Sequence, residues 1–181
     1  MSTLLAAGSA VISRHPCDVG AEWDIVLCER STGAARVRRL GTSVEVTVGD
    51  RAAAGAASTQ LDETRWFTSA ACGEEGRITF RSCGAPPALV IGAGSARLHP
   101  AVPGQSSVAA LTPDERVLIL SSTAFDALPA ALVDVLRDPP QHVLYTDPVD
   151  LLAELFTDIP DGSGAVIRRA ASPTRPSWED R

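Results

Sequence analysis

The stretch from Arg77 to Phe125 constrains the fold most, because its two ends carry different hydrophobic patterns. The first end, RITFRSCGAPPALVIGAG, predicts two strands joined by a Gly-Pro-Pro turn. The second end, ERVLILSSTAFDALPAALVDVL, predicts a buried strand that runs directly into a helix. Many α/β enzymes hold a catalytic or metal-binding side chain on such a strand-to-helix turn. Here the turn at residues 121–124 is SSTA, which contains no carboxylate, histidine or cysteine.

The composition predicts one soluble globular domain with a sizeable core. The chain has 181 residues, of which 45% are hydrophobic and 21% are charged. Its net charge of −6 argues against nucleic acid as a partner, because phosphate binding draws on concentrated positive charge. The sequence contains no lysine, which excludes a lysine Schiff base and a P-loop. No apolar run is long enough to span a membrane, and the N-terminus makes a poor signal peptide, so we expect a cytoplasmic protein.

The pattern of elements predicts an α+β domain of largely antiparallel sheets packed face to face. Eight or nine strands are predicted, among them residues 3–13, 23–30, 42–48, 65–72, 77–83, 88–94, 95–102, 115–122 and 163–170. Residues 51–61 predict a short helix or a loop, and residues 103–115 a surface loop. A helix is expected over 124–138 with Ser122 or Thr123 as its N-cap, and a second one opens at Asp147-Pro148. We assign residues 1–170 to a single domain and residues 171–181 to a flexible tail.

The cysteines and the one promising acidic residue leave their roles open. None of the four cysteines forms a C-x-x-C pair, so we expect buried free thiols and no structural zinc, although disulfides remain open. Asp50 ends a predicted strand and precedes a run of small residues, where an aspartate can hold a divalent metal beside a phosphate. The same position also suits a simple turn or helix cap. Ser121 and Ser122 lack the flanking glycines of a nucleophile elbow.

Five segments, taken in order, resemble motifs of the PP2C-type (PPM) protein phosphatases, especially the bacterial SpoIIE/RsbU-like branch. They span about residues 17–170 and read DVGAEWDIVL, VEVTVGDRAAAGAAS, GRITFRSCGAPPALVI, ERVLILSSTAFDAL and DIPDGSGAVIRR. The corresponding family patterns are V-G-G-D-W-Y-D-V, I-G-D-V-S-G-H-G-x-A-A, G-x-L-x-Y-x-x-A-G-H-P-P-P-L-L-L, G-D-x-L-L-L-Y-T-D-G-L-x-E and D-D-x-T-L-L-V-L-R. Five matches in the right order are far more specific than any one of them.

The resemblance implies an α-β-β-α sandwich in which aspartates at one edge of the sheets hold two Mg²⁺ or Mn²⁺ ions. In the family these metals generate a hydroxide that attacks the phosphorus of phosphoserine or phosphothreonine. The family also places two long helices after its second motif. Here only about ten residues separate Ser58 from Thr68, so the resemblance implies that one helical layer is reduced.

The resemblance carries the family's metal ligands onto four positions of this chain. The first-motif aspartate falls on Glu22, and the central aspartate, which contacts both metals in the family, falls on Asp50. The aspartate of T-D-G falls on Thr123, so that ligand is lost, and the closing pair keeps only Asp161. The two motif histidines fall on Ala54 and Ala85.

Three functional hypotheses follow from the resemblance. The first is a catalytically inactive pseudophosphatase that needs no cofactor and binds a signalling or regulatory protein. The second is an active Mg- or Mn-dependent serine/threonine phosphatase that uses Glu22, Asp50 and Asp161. The third is a structural subunit of a larger complex, which predicts an exposed apolar patch and an unstable isolated chain. We expect neither nucleic acid nor a membrane as partner, and a homodimer remains open.

Overall fold

Two antiparallel β-sheets and three helices make up the described part of the chain. The computed structural model describes residues 5–7, 10–50, 66–130, 134, 138–139 and 141–170. Its strands are β1 (Leu5–Ala7), β2 (Ala10–Asp18), β3 (Glu22–Glu29), β4 (Gly33–Leu40), β5 (Ser43–Asp50), β6 (Phe67–Cys72), β7 (Arg77–Cys83), β8 (Ala88–Gly92), β9 (Ser95–His99), β10 (Ser106–Ala110), β11 (Arg116–Leu120) and β12 (Ser163–Arg169). Its helices are α1 (Ser122–Asp126), α2 (Gln141–Tyr145) and α3 (Pro148–Asp158), and a 3₁₀ turn covers Glu74–Gly76.

The strands divide into a seven-stranded sheet, sheet A, and a five-stranded sheet, sheet B. Sheet A has the order β1-β2-β3-β12-β11-β8-β9, and sheet B has the order β10-β7-β6-β5-β4. Every pair of neighbouring strands runs antiparallel. The predicted α+β fold with antiparallel sheets is therefore confirmed.

Two hydrophobic clusters cover sheet A on both of its faces. The cluster between the sheets includes Trp23, Val46, Phe80 and Ile119. The second cluster joins the other face of sheet A to the helices, with Phe156 of α3 fully buried in it. Because strands covered on both sides expose no face to water, β3, β11 and β12 are nearly continuous apolar runs.

Sheet B shows the alternation that the sequence predicts for a strand with one core face. Val44, Val46 and Val48 of β5 all point into the cluster between the sheets. The described helices contribute to the cluster on sheet A. Residues 51–65 lie outside the described residues, and with them the expected short helix or loop at 51–61; the same holds for the tail at 171–181.

Two predictions about strands were wrong in detail. The surface loop expected at 103–115 contains β10, which pairs with β7 from Ser106 opposite Arg81 to Ala110 opposite Arg77. Its small residues show no clear hydrophobic pattern, so the sequence does not indicate a strand. Pairing with β7 is what holds this segment in the extended conformation. The single strand expected at 3–13 consists of β1 and β2, and β2 continues to Asp18. Pro16 is tolerated because β1 pairs only with residues 10–12 of β2.

The single helix expected over 124–138 begins two residues earlier, at Ser122, and is interrupted before Pro129. Its N-cap is Ser121, whose Oγ accepts a hydrogen bond from the Ala124 N–H at 3.3 Å, so neither Ser122 nor Thr123 has that role. Helix α1 ends at Asp126, shortly before Pro129, whose ring disfavours helical geometry in the residue before it. Ala130 and Asp134 are helical again, as expected, and residues 131–133 and 135–137 lie outside the described residues. None of the described helices is long and apolar enough to cross a membrane.

Helix α3 begins as predicted, with Asp147 as N-cap and Pro148 in its first turn. The Asp147 carboxylate accepts the Val149 N–H at 2.9 Å. The apolar face of this helix is buried against sheet A, as shown by Leu152 and Phe156. The helix therefore supplies much of the cover of sheet A.

All four cysteines lie within the described residues, and none of them forms a disulfide. Cys28 and Cys72 are buried in the two hydrophobic clusters, whereas Cys17 and Cys83 are half-buried. Burial raises the pKa of the Cys28 thiol to about 12, because the thiolate would lose its hydration. The two buried thiols therefore act as small apolar core residues.

A buried carboxylate at Asp24 joins three elements of sheet A to helix α3. Asp24 accepts hydrogen bonds from Arg14 Nε at 2.7 Å and from Arg168 Nε at 2.9 Å. Arg14 also reaches the Asp147 carboxylate at 3.1 Å. Burial alone would raise the pKa of Asp24, but the hydrogen bonds and charges of Arg14 and Arg168 outweigh it and hold that pKa below its usual value.

We expect Asp24→Asn to lower the free energy of unfolding by about 2 kcal/mol, because two half-buried arginines lose their anion. A carboxyl whose pKa is lowered by folding contributes stability above its unfolded pKa, near 4, and loses it as the pH falls through the folded pKa. The difference in the free energy of unfolding between the variant and the wild type should therefore be largest at pH 7 and decrease below about pH 4.

Urea denaturation at a series of pH values measures this difference. Glu154→Gln, on the exposed side of α3, is the matched control and should change stability by less than about 0.5 kcal/mol. An Asp24→Asn effect of the same small size would contradict the assignment of Asp24 as a stabilising buried charge.

Candidate functional site

Four segments of the chain meet at one end of the sandwich and bring together Asp50, Thr123, Asp161 and Ser163. We call this group the Asp50 site. Asp50 ends β5 and pairs with Gly33 at the start of β4. The turn before β12 packs against Gly33, since a Cβ at that glycine would lie only 2.1 Å from the Gly162 carbonyl carbon. Three of the four metal-ligand positions that the resemblance implies therefore lie together at this end of the sandwich.

Asp50 uses one carboxylate oxygen to hold the strand-to-helix turn. Its Oδ2 accepts a hydrogen bond from the Thr123 N–H at 3.1 Å. Its Oδ1 is buried and has no hydrogen-bond partner among the described residues. One carboxylate oxygen of Asp50 thus accepts a backbone hydrogen bond, and the other accepts none from the described residues.

Asp161 is held by the loop between β3 and β4. Its Oδ1 accepts hydrogen bonds from the Thr32 N–H at 2.9 Å, from the Gly162 N–H at 2.7 Å and from the Ser31 hydroxyl at 3.3 Å. Burial would raise the pKa of Asp161, but the two N–H groups outweigh burial and keep that pKa below its ordinary value. Asp161 is therefore an anion that serves as a backbone acceptor.

The turn at residues 121–124 and the turn before β12 are in close contact. Ser121 Oγ accepts the Ala124 N–H at 3.3 Å and the Ser163 N–H at 3.1 Å. A Cβ on Gly162 would lie 2.7 Å from the Ala124 nitrogen and 2.8 Å from Ser121 Oγ, and Gly162 has a φ of +99°. Only glycine suits this position, because both the space and the dihedral angle exclude a side chain.

Ser163 connects the two sheets at the Asp50 site. It is fully buried, and its hydroxyl lies 2.8 Å from the Gly49 carbonyl oxygen and 3.1 Å from that of Ala34. Ser163 belongs to sheet A, whereas both carbonyls belong to sheet B. One hydroxyl therefore holds the end of β5, and with it Asp50, against the end of β12.

Glu22 is not brought to the Asp50 site. It begins β3 and pairs with Asp18, whereas the last residue of that strand, Glu29, pairs with Ser163. Glu29 lies seven residue steps along the extended strand from Glu22, which corresponds to about 23 Å. Trp23, beside Glu22, donates its indole N–H to Gly73 O at 3.1 Å, at the opposite end of sheet B.

The structure therefore corrects the sequence-based grouping of Glu22 with Asp50 and Asp161. Local sequence similarity identifies a strand but does not tell which of its ends reaches a site formed by other segments. Glu29 is the acidic residue of β3 at this end, and its Oε1 accepts the Ala35 N–H at 2.6 Å. Of the motif-histidine positions, Ala85 is buried, and Ala54 lies outside the described residues.

The donors of the Asp50 site do not fit the pair of divalent ions that the resemblance implies. Mg²⁺ requires near-octahedral oxygen ligands, with carboxylates to offset the cost of dehydration. Asp50 Oδ1 could serve, but Asp161 Oδ1 already accepts three hydrogen bonds, and Thr123 has no carboxylate. Among the residues that the structure describes, no group of three or more His, Cys, Asp or Glu could hold a metal ion.

The sequence interpretation missed the roles of Ser121 and Ser163. Both are fully buried and both link backbone groups at the site. Serines beside glycine and threonine look like ordinary turn residues in a sequence, because the carbonyls that they contact come from distant segments. Only their position next to strongly apolar strands offered a signal.

Comparisons with known proteins identify the fold. The sequence matches no known family profile and no curated protein. Solved structures do match, among them the RsbU and RsbW domains of a Mycobacterium tuberculosis protein, with a TM-score of 0.59 and 16% identity over 88% of this chain and 63% of that chain. The PP2C phosphatase domain of SpoIIE from Bacillus subtilis, with a regulatory fragment, matches with a TM-score of 0.56 and 10% identity over 94% of this chain and 65% of that chain. RsbX in complex with magnesium matches with a TM-score of 0.52 and 8% identity over 94% of this chain and 100% of that chain.

The class that these neighbours share with the chain is the PP2C phosphatase fold. The chain therefore has a PP2C/SpoIIE-like fold, in agreement with the sequence motifs. At identities of 16% or less the likeness concerns the fold alone. The chain spans less than two thirds of the length of the first two matched chains.

We expect Ser163→Ala to lower the free energy of unfolding by about 1–3 kcal/mol, because two buried carbonyl groups lose their donor. Thermal or urea unfolding followed by circular dichroism measures the loss. Ser31→Ala is the control, since the Ser31 hydroxyl is exposed and is only one of three donors to Asp161 Oδ1. Equal effects of the two substitutions would contradict the role of Ser163 as a link between the sheets.

Proposed function

We propose that this chain is a catalytically inactive PP2C-like domain, a pseudophosphatase, that acts by binding a protein partner in bacterial signalling. The observation that supports the proposal best is the state of the strand-to-helix turn. Where the resemblance implies a metal-binding aspartate, the turn has Thr123. The Thr123 backbone N–H donates a hydrogen bond to one carboxylate oxygen of Asp50. The central carboxylate thus stabilises the turn.

The partner class comes from the structural neighbours. One of them contains RsbU and RsbW domains, and another belongs to the bacterial stressosome, a system that controls secondary messenger signalling. By analogy we infer a cytoplasmic signalling or regulatory protein as partner, such as an anti-sigma antagonist or a kinase of such a pathway. The intact fold would supply the binding surface, and no metal would be needed.

The alternative is an active Mg- or Mn-dependent serine/threonine phosphatase. The observation that favours it is the buried Asp50 Oδ1, which has no hydrogen-bond partner in the part of the chain that the structure describes and could bind a cation. Its weakness is the position of Glu22, which the alternative needs as a ligand and which lies at the other end of β3. The donor set therefore favours the pseudophosphatase.

Metal binding and turnover distinguish these two hypotheses. We expect Mn²⁺ calorimetry to give no saturable two-site binding, and p-nitrophenyl phosphate turnover no higher than that of Asp50→Asn. Asparagine keeps an oxygen that can accept the Thr123 N–H, so this variant removes charge without removing the bond. Tight binding of two metals, with turnover that Asp50→Asn abolishes, would overturn the proposal in favour of the active enzyme.

A gain-of-function variant provides the converse test. Thr123→Asp places a third carboxylate at the Asp50 site, and we expect it to raise the affinity for Mn²⁺ at least about tenfold. The double variant Thr123→Asp, Asp50→Asn should lose that gain. An unchanged affinity in Thr123→Asp would mean that this turn is not a vestigial metal position.

The binding role has its own test, which does not depend on metal. The tagged chain is used to capture proteins from lysate of its source organism, and captured signalling proteins are then purified and titrated. Asp50→Asn should bind the same protein with unchanged affinity, because the proposal separates binding from metal chemistry. If no specific protein binds, the proposed binding role is wrong.

The remaining hypothesis, a structural subunit of a larger complex, predicts an isolated chain that is unstable. The two buried clusters favour the opposite, a single cooperative unfolding transition of the isolated chain. Calorimetric scanning of the purified protein decides between the two.

A further inference from the structure

The edge strand β10 is an unpartnered element at one side of sheet B. It pairs with β7 along five residue pairs, and no described strand lies on its other side. An edge strand of this kind leaves a row of backbone N–H and C=O groups free to pair with another strand. The free row on β10 is thus a ready template for one more strand.

The sequence of β10, SSVAA, has none of the features with which proteins usually block an exposed edge. It contains no charge, no proline and no bulky residue except Val108, whose side chain is 60% exposed. The edge strand at the opposite side of sheet B, β4, carries Arg36, Arg38 and Arg39. Sheet B is therefore protected by charge at one edge and unprotected at the other.

The conformation of β10 is already held in place before any partner arrives. Its register with β7 is continuous, and His99 Nδ1 at the end of β9 lies 3.2 Å from Ser107 Oγ. This contact connects the edge of sheet A with the edge of sheet B. A strand that is already ordered loses little conformational entropy when it binds.

We propose that β10 pairs with β10 of a second copy of this chain, antiparallel and around a two-fold axis at Val108. In that register Val108 lies opposite its own copy, Ser106 opposite Ala110, and Ser107 opposite Ala109. The two five-stranded sheets join into one ten-stranded sheet. This interface is separate from the Asp50 site and does not depend on the proposed function.

Self-pairing suits β10 because the strand is small and uncharged along its whole length. No two like charges face each other across the axis, whereas self-pairing of β4 would bring six arginines together. Each Val108 pairs with a valine, and valine is a favourable partner in a cross-strand pair. Two more apolar residues are exposed nearby, Leu98 in β9 and Val102 in the connection from β9 to β10.

The size of the contact determines its strength. A five-residue strand is about 17 Å long, so the interface is small for a protein dimer. The dimer should therefore be weak and depend on concentration. We expect a monomer of 18.9 kDa at low concentration and a species of about twice that mass at high concentration.

Sedimentation equilibrium from about 10 to 500 µM tests the proposal. Val108→Lys should weaken dimerisation at least about tenfold, because it sets two positive charges opposite each other. Thr79→Lys is the matched control: Thr79 is exposed and pairs directly with Val108, but it lies on β7, one strand in from the edge. It adds the same charge and should change the dimerisation constant by less than about threefold.

Mixing two variants checks the two-fold register. Val108→Asp alone should also be monomeric, and an equimolar mixture of Val108→Asp with Val108→Lys should restore a dimer of one copy each. A wild-type chain that stays monomeric at 500 µM, a Val108→Lys variant that dimerises like the wild type, or a mixture that restores no dimer would overturn the proposal. Circular dichroism confirms that each variant is folded, which the exposure of Val108 leads us to expect.

Discussion

The burial of sheet A on both faces is the constraint on which the rest of the structure depends. One face meets sheet B through the cluster around Trp23, Phe80 and Ile119, and the other meets the helices through the cluster around Phe156. Strands in such a layer cannot carry polar groups except where those groups are paired. The buried polar residues of β3, β11 and β12, which are Asp24, Arg116 and Ser163, all bond to other elements.

Polar contacts at the strand ends also hold the turns of the Asp50 site in place. At the Asp50 site, Asp50 and Ser121 accept backbone N–H groups and the Ser163 hydroxyl donates to a backbone carbonyl, and these bonds hold the turns of both sheets together. These bonds stabilise the same turns on which the family resemblance places metal ligands. A carboxylate retained at Asp50 therefore has a structural reason to persist whether or not a metal binds there.

Residue patterns predicted those parts of the molecule that depend on local periodicity. The buried strand β3, the alternating strand β5 and the start of helix α3 at Asp147-Pro148 were all correct, because each has a strong apolar pattern or cap. Strand β10 was missed because its small residues have no such pattern. Glu22 was misplaced because similarity along one strand says nothing about which end of it meets β5 and β12.

By itself the sequence determined the class of fold, the order of most strands and the absence of a carboxylate at Thr123. Those features depend on residue type and on spacing along the chain. Only the tertiary structure decided that Asp50, Thr123 and Asp161 meet and that Glu22 does not. It also decided that β10 is a strand, with no described strand on its outer side. Both outcomes rest on contacts between segments far apart in sequence, such as Ser163 with Gly49, which no local pattern encodes.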